Sequence, residues 1–232
     1  GAMIDGILAA LDGLADIDGA RAVLLRGNGR HFQAGADLKW ILSVREQDES
    51  VNLEVSRKTA EAVDRLNHLP VPVVAMVQGG CFGGGTGIVA ACDVVIAADD
   101  AVFGVFCRRW GVPLVDGGTI RLSRMLGHSH ALDLILTGRP VSGDEARLMG
   151  VANRLTEPGE ALSSAVEMAH QLAAFPQTCM RNDRRSSYAQ WDLSFTEALA
   201  YETELGLEVL RSREAQAGAA RFAAGEGRGA TF

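Results

Sequence analysis

Val77-Gln-Gly-Gly-Cys-Phe-Gly-Gly-Gly-Thr-Gly-Ile-Val-Ala-Ala-Cys92 is the stretch of sequence that decides the fold. Its six glycines lie between a β-like apolar run, residues 72–77, and a helix-like run, residues 85–91. A glycine-rich turn of this kind brings backbone N–H groups to a helix N-terminus, where an oxyanion or a phosphate can bind. The stretch contains no acidic, basic or serine residue. A group that transfers protons must therefore come from elsewhere in the chain, if there is one.

The composition is that of an acidic globular protein of 232 residues, with a formal net charge of −7 and 47% hydrophobic residues. This length fits one domain, or a domain with a helical extension. The acidic balance argues against a nucleic-acid-binding surface. No apolar run reaches the roughly 20 residues that a membrane-spanning helix needs, and no signal pattern is visible. We therefore expect a cytoplasmic protein with neither nucleic acid nor membrane as a partner.

Cysteine and histidine spacing gives no metal or disulfide pattern. The four cysteines form neither a C-x-x-C pair nor a compact framework, which favours free thiols in a reducing compartment. His128 and His130 would face apart on a helix, and the other histidines also lack the spacing of ligands. We expect no metal site. The cysteines are Cys81, Cys92, Cys107 and Cys179.

Short apolar strands alternate with helices in the first part of the chain. Apolar residues recur at helical spacing from Ile4 to Leu14, so the chain opens with an amphipathic helix. Pro70 and Pro72 end a later helix and begin a strand. Short apolar strands separated by helices favour a parallel α/β arrangement. The predicted strands are residues 21–26, 73–77, 93–98 and 151–155, and the predicted helices are residues 54–69, residues 85–91 and a short one after the loop 31–37.

Helical patterns dominate from Ser142 onward. Ser142-Gly-Asp-Glu145 and Ser194-Phe-Thr-Glu197 are both capping-box patterns, and Pro158 suits the first turn of a helix. After Phe175 no segment is expected to join the sheet. We expect this tail to pack on the core and on neighbouring copies, because its leucines form apolar surface that a lone helix could not bury.

Nucleotide-binding motifs do not account for the glycines. Gly85-Thr-Gly-Ile-Val-Ala90 matches G-x-G-x-x-A, but it begins eight residues beyond Val77 and lacks the acidic residue that follows in a Rossmann unit. No lysine follows the glycines, as a P-loop requires. No G-x-S-x-G nucleophile elbow occurs in the chain.

Four stretches taken together resemble the crotonase superfamily, the enoyl-CoA hydratase/isomerase family. They follow the order and spacing of that family and cover roughly residues 20–175. They are H-F-Q-A-G-A-D-L (31–38), P-V-P-V-V-A-M-V-Q-G with F-G-G-G (70–85), A-A-C-D-V-V-I-A-A-D-D-A-V-F-G (90–104), and G-G-T-I-R-L-S-R-M-L-G followed by L-T-G-R-P-V-S-G-D-E-A-R-L-M-G-V-A-N-R (117–154).

The resemblance implies a crotonase-like spiral of ββα units, α/β in class, followed by a C-terminal α-helical trimerisation region. The core would be residues 1–175 and the helical oligomerisation region residues 176–232, giving a homotrimer or a dimer of trimers. Members of the family usually begin with a β-hairpin that helps to hold coenzyme A, and we expect no counterpart of it in this sequence.

The resemblance also implies an acyl-CoA thioester whose carbonyl oxygen lies between the backbone N–H groups of Ala36 and Gly84. Such preorganised donors stabilise an enolate or a tetrahedral oxyanion. Coenzyme A would be part of the substrate, and no separate cofactor is expected. The residues expected to line the substrate site are Ala34, Asp37, Leu38, Lys39, Gly83, Gly87 and Trp110, with Lys39 a candidate contact to the CoA phosphate or adenine.

The chain departs from the family where hydratases carry their two glutamates. By the family pattern these positions are Gly87 and Cys107, and neither holds a carboxylate. Cys107 can act as an acid, base or nucleophile only if its pKa is tuned. The alternative is that Cys107 is a small buried residue.

Asp116 stands three residues before Thr119, where some members of the family place a functional aspartate. In dienoyl-CoA isomerases that residue takes part in proton transfer, and in a chlorobenzoyl-CoA dehalogenase it is the nucleophile. A helix cap that accepts the N–H of Gly118 or Thr119 is the alternative, and the two roles are compatible.

These features predict an enzyme of fatty acid metabolism, a lyase or isomerase that acts through a thioester enolate or oxyanion. Ala36 and Gly84 would donate to the oxygen, and Asp116 would lead the acid/base or nucleophilic chemistry. Two-glutamate hydration does not fit the sequence. The alternatives are a CoA-thioester isomerase, decarboxylase or hydrolase that uses Asp116, and a non-catalytic acyl-CoA binding protein.

Overall fold

The computed structural model describes residues 1–15 and 17–227 of the chain. They form two compact units, one of residues 1–170 and one that begins at residue 171. The strands are β1 Val23–Arg26, β2 Val73–Val77, β3 Gly80–Phe82, β4 Val94–Ala98, β5 Val102–Gly104, β6 Val141–Ser142 and β7 Arg154–Thr156. The helices are α1 Ala2–Ala15, α2 Leu38–Arg45, α3 Glu49–Asn67, α4 Gly84–Val89, α5 Gly118–Leu126, α6 His128–Thr137, α7 Gly143–Met149, α8 Ala161–Ala174, α9 Gln177–Ala189, α10 Phe195–Arg211 and α11 Glu214–Ala223. Short 3₁₀ helices lie at Phe106–Trp110 and Gln190–Asp192.

Two sheets build the first unit. β1, β2, β4 and β7 form a parallel four-stranded sheet in that order, with Val74 paired to Leu24 on one side and to Val94 on the other. β3 pairs in parallel with β5, which pairs antiparallel with β6. Consecutive strands such as β2 and β3 therefore enter different sheets before the chain turns into a helix, as expected for ββα units.

The core lies around the four-stranded sheet. All five residues of β2 are buried, because both faces of a central parallel strand are covered and such a strand is apolar throughout. The helix α3 adds Ala62, Val63 and Leu66 to the buried set. This packing fixes the carboxyl end of β2, from which the glycine stretch emerges.

Several predicted element boundaries are wrong. α3 begins at Glu49, five residues before the predicted start. The strand predicted at 151–155 begins only at Arg154, because the N–H groups of Val151 and Ala152 donate to the carbonyl of Ala146 and close the end of α7. Pro158 precedes the first turn of α8, which begins at Ala161.

Only one of the two predicted capping boxes is complete. At α10 the Ser194 hydroxyl accepts the N–H of Glu197 and the Glu197 carboxylate accepts the N–H of Ser194. At α7 the Ser142 hydroxyl accepts the N–H of Glu145 at 3.3 Å. The Glu145 carboxylate instead pairs with Arg139 at 2.9 Å, so the second half of that box is absent.

The second unit is helical, with α9 and α10 packed on each other. Asn182 of α9 is buried, and its amide donates to the Leu205 carbonyl and to the Glu208 carboxylate, both at 3.0 Å. The Glu214 carboxylate accepts the N–H groups of Thr178 and Cys179 at 2.9 Å and so satisfies the first turn of α9.

In residues 1–15 and 17–227, none of the helices combines the length and apolar character that crossing a bilayer requires.

Candidate active site

Two loops of the first unit, residues 33–36 and residues 82–85, lie side by side. The N–H of Gln33 donates to the Gly80 carbonyl at 3.1 Å, and the N–H of Phe82 donates to the Gln33 carbonyl at 2.8 Å. Gln33 also pairs with Cys81 as an isolated parallel bridge. These bonds bring together the two stretches on which the resemblance to the crotonases rests.

Gly83 makes the close approach of these loops possible. Its φ of +57° favours glycine. A Cβ at this position would lie 2.9 Å from the Cys107 Sγ and 3.6 Å from the Cα of Gly35. The loop that carries Gly35 and the thiol of Cys107 therefore pack against the same glycine.

The N–H groups of Ala36 and Gly84 are free. Among the described residues, neither amide has a hydrogen-bond partner. Gly84 is the first residue of α4, where the helix itself supplies no acceptor. Ala36 is exposed and Gly84 is half-buried. Both donors are thus available to an incoming oxygen.

The carboxylate of Asp116 lies against the start of α4. Asp116 is only 3% exposed. A Cβ added at Gly87 would overlap its carboxylate, and a Cβ added at Gly84 would lie 3.3 Å from its Oδ2. The acid at position 116 therefore fills the space into which a side chain at position 87 would project.

Asp116 also has the predicted hydrogen bond from Gly118, although the N-cap of α5 is Gly117 and not Asp116. Its Oδ1 accepts the N–H of Gly118 at 2.9 Å. Burial raises the pKa of the Asp116 carboxyl above its ordinary value, while the hydrogen bonds from Gly118 and from its own backbone N–H, and the charge of Arg121, oppose that shift. A carboxyl group with a raised pKa is suited to taking up and releasing protons.

Arg121 holds the backbone of Asp116 in place. Its Nη1 donates to the Asp116 carbonyl at 2.9 Å, and its Nη2 donates to Asp64 Oδ1 at 3.0 Å. Asp64 lies on α3. Arg121 thereby ties the loop before α5 to α3.

Cys107 is half-buried within the 3₁₀ helix that follows β5. Burial raises the pKa of its thiol, and the negative charge of Asp116 raises it further. A thiol with a raised pKa stays protonated at neutral pH and is a poor nucleophile. The catalytic role of Cys107 stays a prediction, beside the alternative of a small, partly buried residue.

The other predicted site residues differ in where they lie. Asp37 caps α2, accepting the N–H of Lys39 at 2.9 Å and that of Trp40 at 3.2 Å. Trp110 is 67% exposed, and Ala34, Leu38 and Lys39 are exposed too. Gly83, Gly84, Gly87, Cys107 and Asp116 lie close together. The catalytic roles of Ala36, Gly84, Cys107 and Asp116 stay predictions, as do the binding roles of Ala34, Asp37, Leu38, Lys39, Gly83, Gly87 and Trp110.

Gln33 is a site residue that the sequence reasoning did not single out. Its Oε1 accepts the N–H of Gly35 at 2.7 Å, and its Cβ contacts Gly85 so closely that a Cβ there would lie 2.9 Å away. A long polar side chain directly before the Ala-Gly-Ala turn was the available signal.

A cleft of about 520 Å³ lies at the carboxyl edge of the four-stranded sheet, and Gly80 and Phe82 of the glycine stretch form part of its lining. Its polar lining includes Arg26, Arg30, His31 and Gln78. The His31 Nδ1 accepts the N–H of Gly80 at 2.8 Å, so a neutral His31 would carry its proton on Nε2.

Within residues 1–15 and 17–227, no group of three or more His, Cys, Asp or Glu side chains is arranged to hold a metal ion.

The fold and the paired glycine loops define a member of the crotonase superfamily. Residues 1–230 match the family model described as enoyl-CoA hydratase/isomerase, and the chain belongs to that family.

Relatives with known sequences carry names from the same family. The chain is 37% identical over 175 residues to a putative enoyl-CoA hydratase of Thermus thermophilus, covering 75% of this chain and 69% of that one. It is 30% identical over 203 residues to the enoyl-CoA hydratase EchA19 of Mycobacterium tuberculosis, covering 88% and 76%.

Solved structures confirm the predicted fold class. An enoyl-CoA hydratase from Polaromonas superposes with a TM-score of 0.90 at 27% identity, over 95% of this chain and 86% of that one. An enoyl-CoA hydratase subunit from Geobacillus kaustophilus superposes with a TM-score of 0.87 at 29% identity, over 95% and 84%.

Proposed function

We propose that this chain is an acyl-CoA-processing enzyme that forms a thioester enolate. In this proposal the N–H groups of Ala36 and Gly84 hold the thioester oxygen, and Asp116 moves the proton. The observation that carries the proposal is the position of the buried Asp116 carboxylate beside Gly84, whose own amide is free. The names of the relatives, enoyl-CoA hydratase and hydratase/isomerase, support the same substrate class.

The two amides would supply the electrostatic part of the reaction. Removal of a proton from the carbon next to the thioester carbonyl places negative charge on the carbonyl oxygen. Backbone donors fixed in advance stabilise that charge without reorganisation, and loss of one such donor costs about 3–4 kcal/mol where this has been tested. Both donors here belong to the backbone of the two loops, which hydrogen bonds of Gln33 hold side by side.

A single carboxylate fits a proton shift better than a hydration. In a double-bond isomerisation Asp116 would take a proton from the α-carbon of a β,γ-unsaturated thioester. The enolate would then take the proton back at the γ-carbon, which leaves the double bond between the α- and β-carbons and returns Asp116 to its starting state. No water enters, so no second acid or base is needed.

Hydration by two carboxylates lacks support in the site. Gly87 has no side chain, and the raised pKa of the Cys107 thiol keeps it from acting as a carboxylate would. Decarboxylation, which needs little beyond the oxygen-binding amides, and hydrolysis through Asp116 remain further reactions that this arrangement could carry out.

A second candidate function is acyl-CoA binding without turnover. One observation favours it. Gly87 and Cys107 stand where the family carries its two glutamates, and neither has a group that ionises near neutral pH. Under this alternative Asp116 would only stabilise the turn before α5, through its bond to Gly118.

Deuterium exchange tests the proposal directly. The protein is incubated in D₂O with butanoyl-CoA, and the mass of the recovered thioester is followed. We expect exchange at the α-carbon that Asp116→Asn slows by about 100-fold or more, the range typical of general base catalysis. Asp144→Asn, a change of an exposed carboxylate on α7, is the matched control and should leave the rate unchanged.

Calorimetry separates the two candidates. Binding of butanoyl-CoA without any exchange would support the binding protein and contradict the enzyme. Absence of binding across a panel of acyl-CoA thioesters would contradict both.

A further inference from the structure

Gln33 lies between the two loops that carry the free amides. Its backbone is held by Gly80 and Phe82, and its side chain runs along Gly85 towards Gly84. The side chain is half-buried, so part of it stays open to a molecule that enters the site.

The hydrogen bond from Gly35 assigns the oxygen and nitrogen ends of the Gln33 side-chain amide. Because the Gly35 N–H is a donor, the atom that receives it at 2.7 Å must be Oε1. This bond also holds Gly35 at a φ of +98°, the residue directly before the free amide of Ala36. The Gln33 oxygen therefore orients the Ala36 loop.

The nitrogen end of the same amide faces the start of α4. A Cβ at Gly84 would lie 3.9 Å from Gln33 Nε2 and 3.3 Å from Asp116 Oδ2, so donor and carboxylate flank the same side of one residue. Within the described part of the chain, Nε2 has no hydrogen-bond partner. An NH₂ group with unused donors lies next to the proposed reacting centre.

We propose that Gln33 selects acyl groups that carry an oxygen close to the thioester. The free N–H of its Nε2 would donate to a carbonyl or hydroxyl oxygen on the acyl chain, while its Oε1 keeps the Ala36 amide in place. This inference rests on the proposed acyl-CoA function and adds the substrate class to it. An unoxygenated chain would leave the donor without a partner, which disfavours its binding.

Binding constants of three matched thioesters test this preference. Butanoyl-CoA, 3-oxobutanoyl-CoA and 3-hydroxybutanoyl-CoA are titrated into the wild-type protein, Gln33→Met and Gln33→Glu. The wild type should bind at least one oxygenated ligand about 3- to 10-fold more tightly than butanoyl-CoA, the effect expected of one hydrogen bond. The oxo and hydroxy ligands show which oxygen the donor prefers.

The two variants separate the two roles of the side chain. Gln33→Met loses both amide ends, and Gln33→Glu keeps an oxygen for the Gly35 N–H but loses the donor. In both variants we expect the affinities for the oxygenated ligand and for butanoyl-CoA to differ by no more than about twofold, because the hydrogen bond from Nε2 is gone. Affinity for butanoyl-CoA should be better preserved in Gln33→Glu than in Gln33→Met, because the glutamate keeps an oxygen for the Gly35 N–H. Gln216→Met, on an exposed position of α11, should keep the wild-type preference.

Several outcomes would overturn the inference. They are a wild-type protein with no preference, and a preference that survives in both variants. Should both variants fail to fold, the wild-type measurement still decides the first point. If the wild type binds no acyl-CoA at all, the proposed function itself fails, and that result is distinct from loss of selectivity.

Discussion

The carboxylate of Asp116 occupies the volume that a side chain at Gly87 would need. A side chain at position 87 and the Asp116 carboxylate would therefore compete for one space. In the family pattern a glutamate stands at position 87, whereas in this chain the carboxylate at this place comes from the loop before α5. The acid and the free amide of Gly84 remain neighbours.

Gly87→Ala should damage both the fold and the site. The added Cβ overlaps the Asp116 carboxylate, and overpacking of this kind costs about 1–3 kcal/mol in unfolding free energy. Urea denaturation measures this loss. Gly13→Ala is the control, because that helical position is open and the change should stabilise α1 by about 0.5–1 kcal/mol.

The double variant Gly87→Ala with Asp116→Ala should regain part of the lost stability. Equal stability of the single and double variants would show that the two residues do not compete for space.

Asp116→Asn should be more stable than the wild type at pH 7. Burial raises the pKa of this carboxyl in the folded protein. Stability is therefore lost as the pH rises from the unfolded-state pKa, about 3.9, through the raised folded value. The neutral amide avoids this loss and can still accept the N–H of Gly118.

The difference in unfolding free energy between the two proteins should shrink towards a constant as the pH falls below about 3.9. Urea denaturation between acidic and neutral pH measures it, with Asp144→Asn as the control. A difference that stays the same over this range, or grows on acidification, contradicts the burial of an ionisable Asp116.

Cys107 should react more quickly with iodoacetamide in Asp116→Asn than in the wild type. The negative charge of Asp116 is one cause of the raised thiol pKa, so its removal increases the thiolate fraction. Mass spectrometry of the Cys107 peptide at pH 8 follows the rate. Cys179, whose thiol pKa is raised by burial and by Asp183 and Glu214, is the internal reference and should react at an unchanged rate.

Arg121→Met should lower the unfolding free energy by about 1–3 kcal/mol, because the carbonyl of the buried Asp116 loses its donor. Asp64→Asn removes only the partner on α3, which is 59% exposed in its side chain, and should cost less than about 1 kcal/mol. Thermal or urea unfolding compares them. A larger loss in Asp64→Asn would mean that the link to α3, rather than the bond to Asp116, matters most.

The protein should assemble as a trimer or a dimer of trimers. Helix α10 exposes apolar side chains in the single chain, with Leu210 58% exposed, and such surface favours association. Light scattering should give three or six times the chain mass of 24.6 kDa. Leu210→Glu should reduce that mass, whereas Glu204→Gln, on the same helix, should not. A monomeric wild type refutes this expectation.

The sequence was most informative where local pattern and burial agree. The strand at 73–77 was predicted to the residue, because proline precedes it and all its residues are apolar. The bond from Gly118 to Asp116 was also predicted, since it joins residues only two apart, but the N-cap of α5 is Gly117 and not Asp116. The strand near 151 was placed too early, because Val151 and Ala152 are apolar yet belong to the turn that closes α7.

The relations that define the site span long stretches of sequence. No local pattern places Asp116 against Gly87, and none shows that Gln33 reaches Gly84. These contacts depend on how successive ββα units stack, which is a property of the tertiary structure. The short strands β3, β5 and β6 were missed because two or three residues are too few to show an alternating pattern.

Both free donors at Ala36 and Gly84 belong to the main chain. Ordinary side-chain substitution cannot remove them, whereas the acid beside them is lost or moved by a single codon change. Under the proposed function, the hold on a negatively charged oxygen therefore belongs to the backbone, and the proton chemistry belongs to a replaceable side chain. A lineage built on such a scaffold could then change the reaction it performs while the thioester-binding part stays in place.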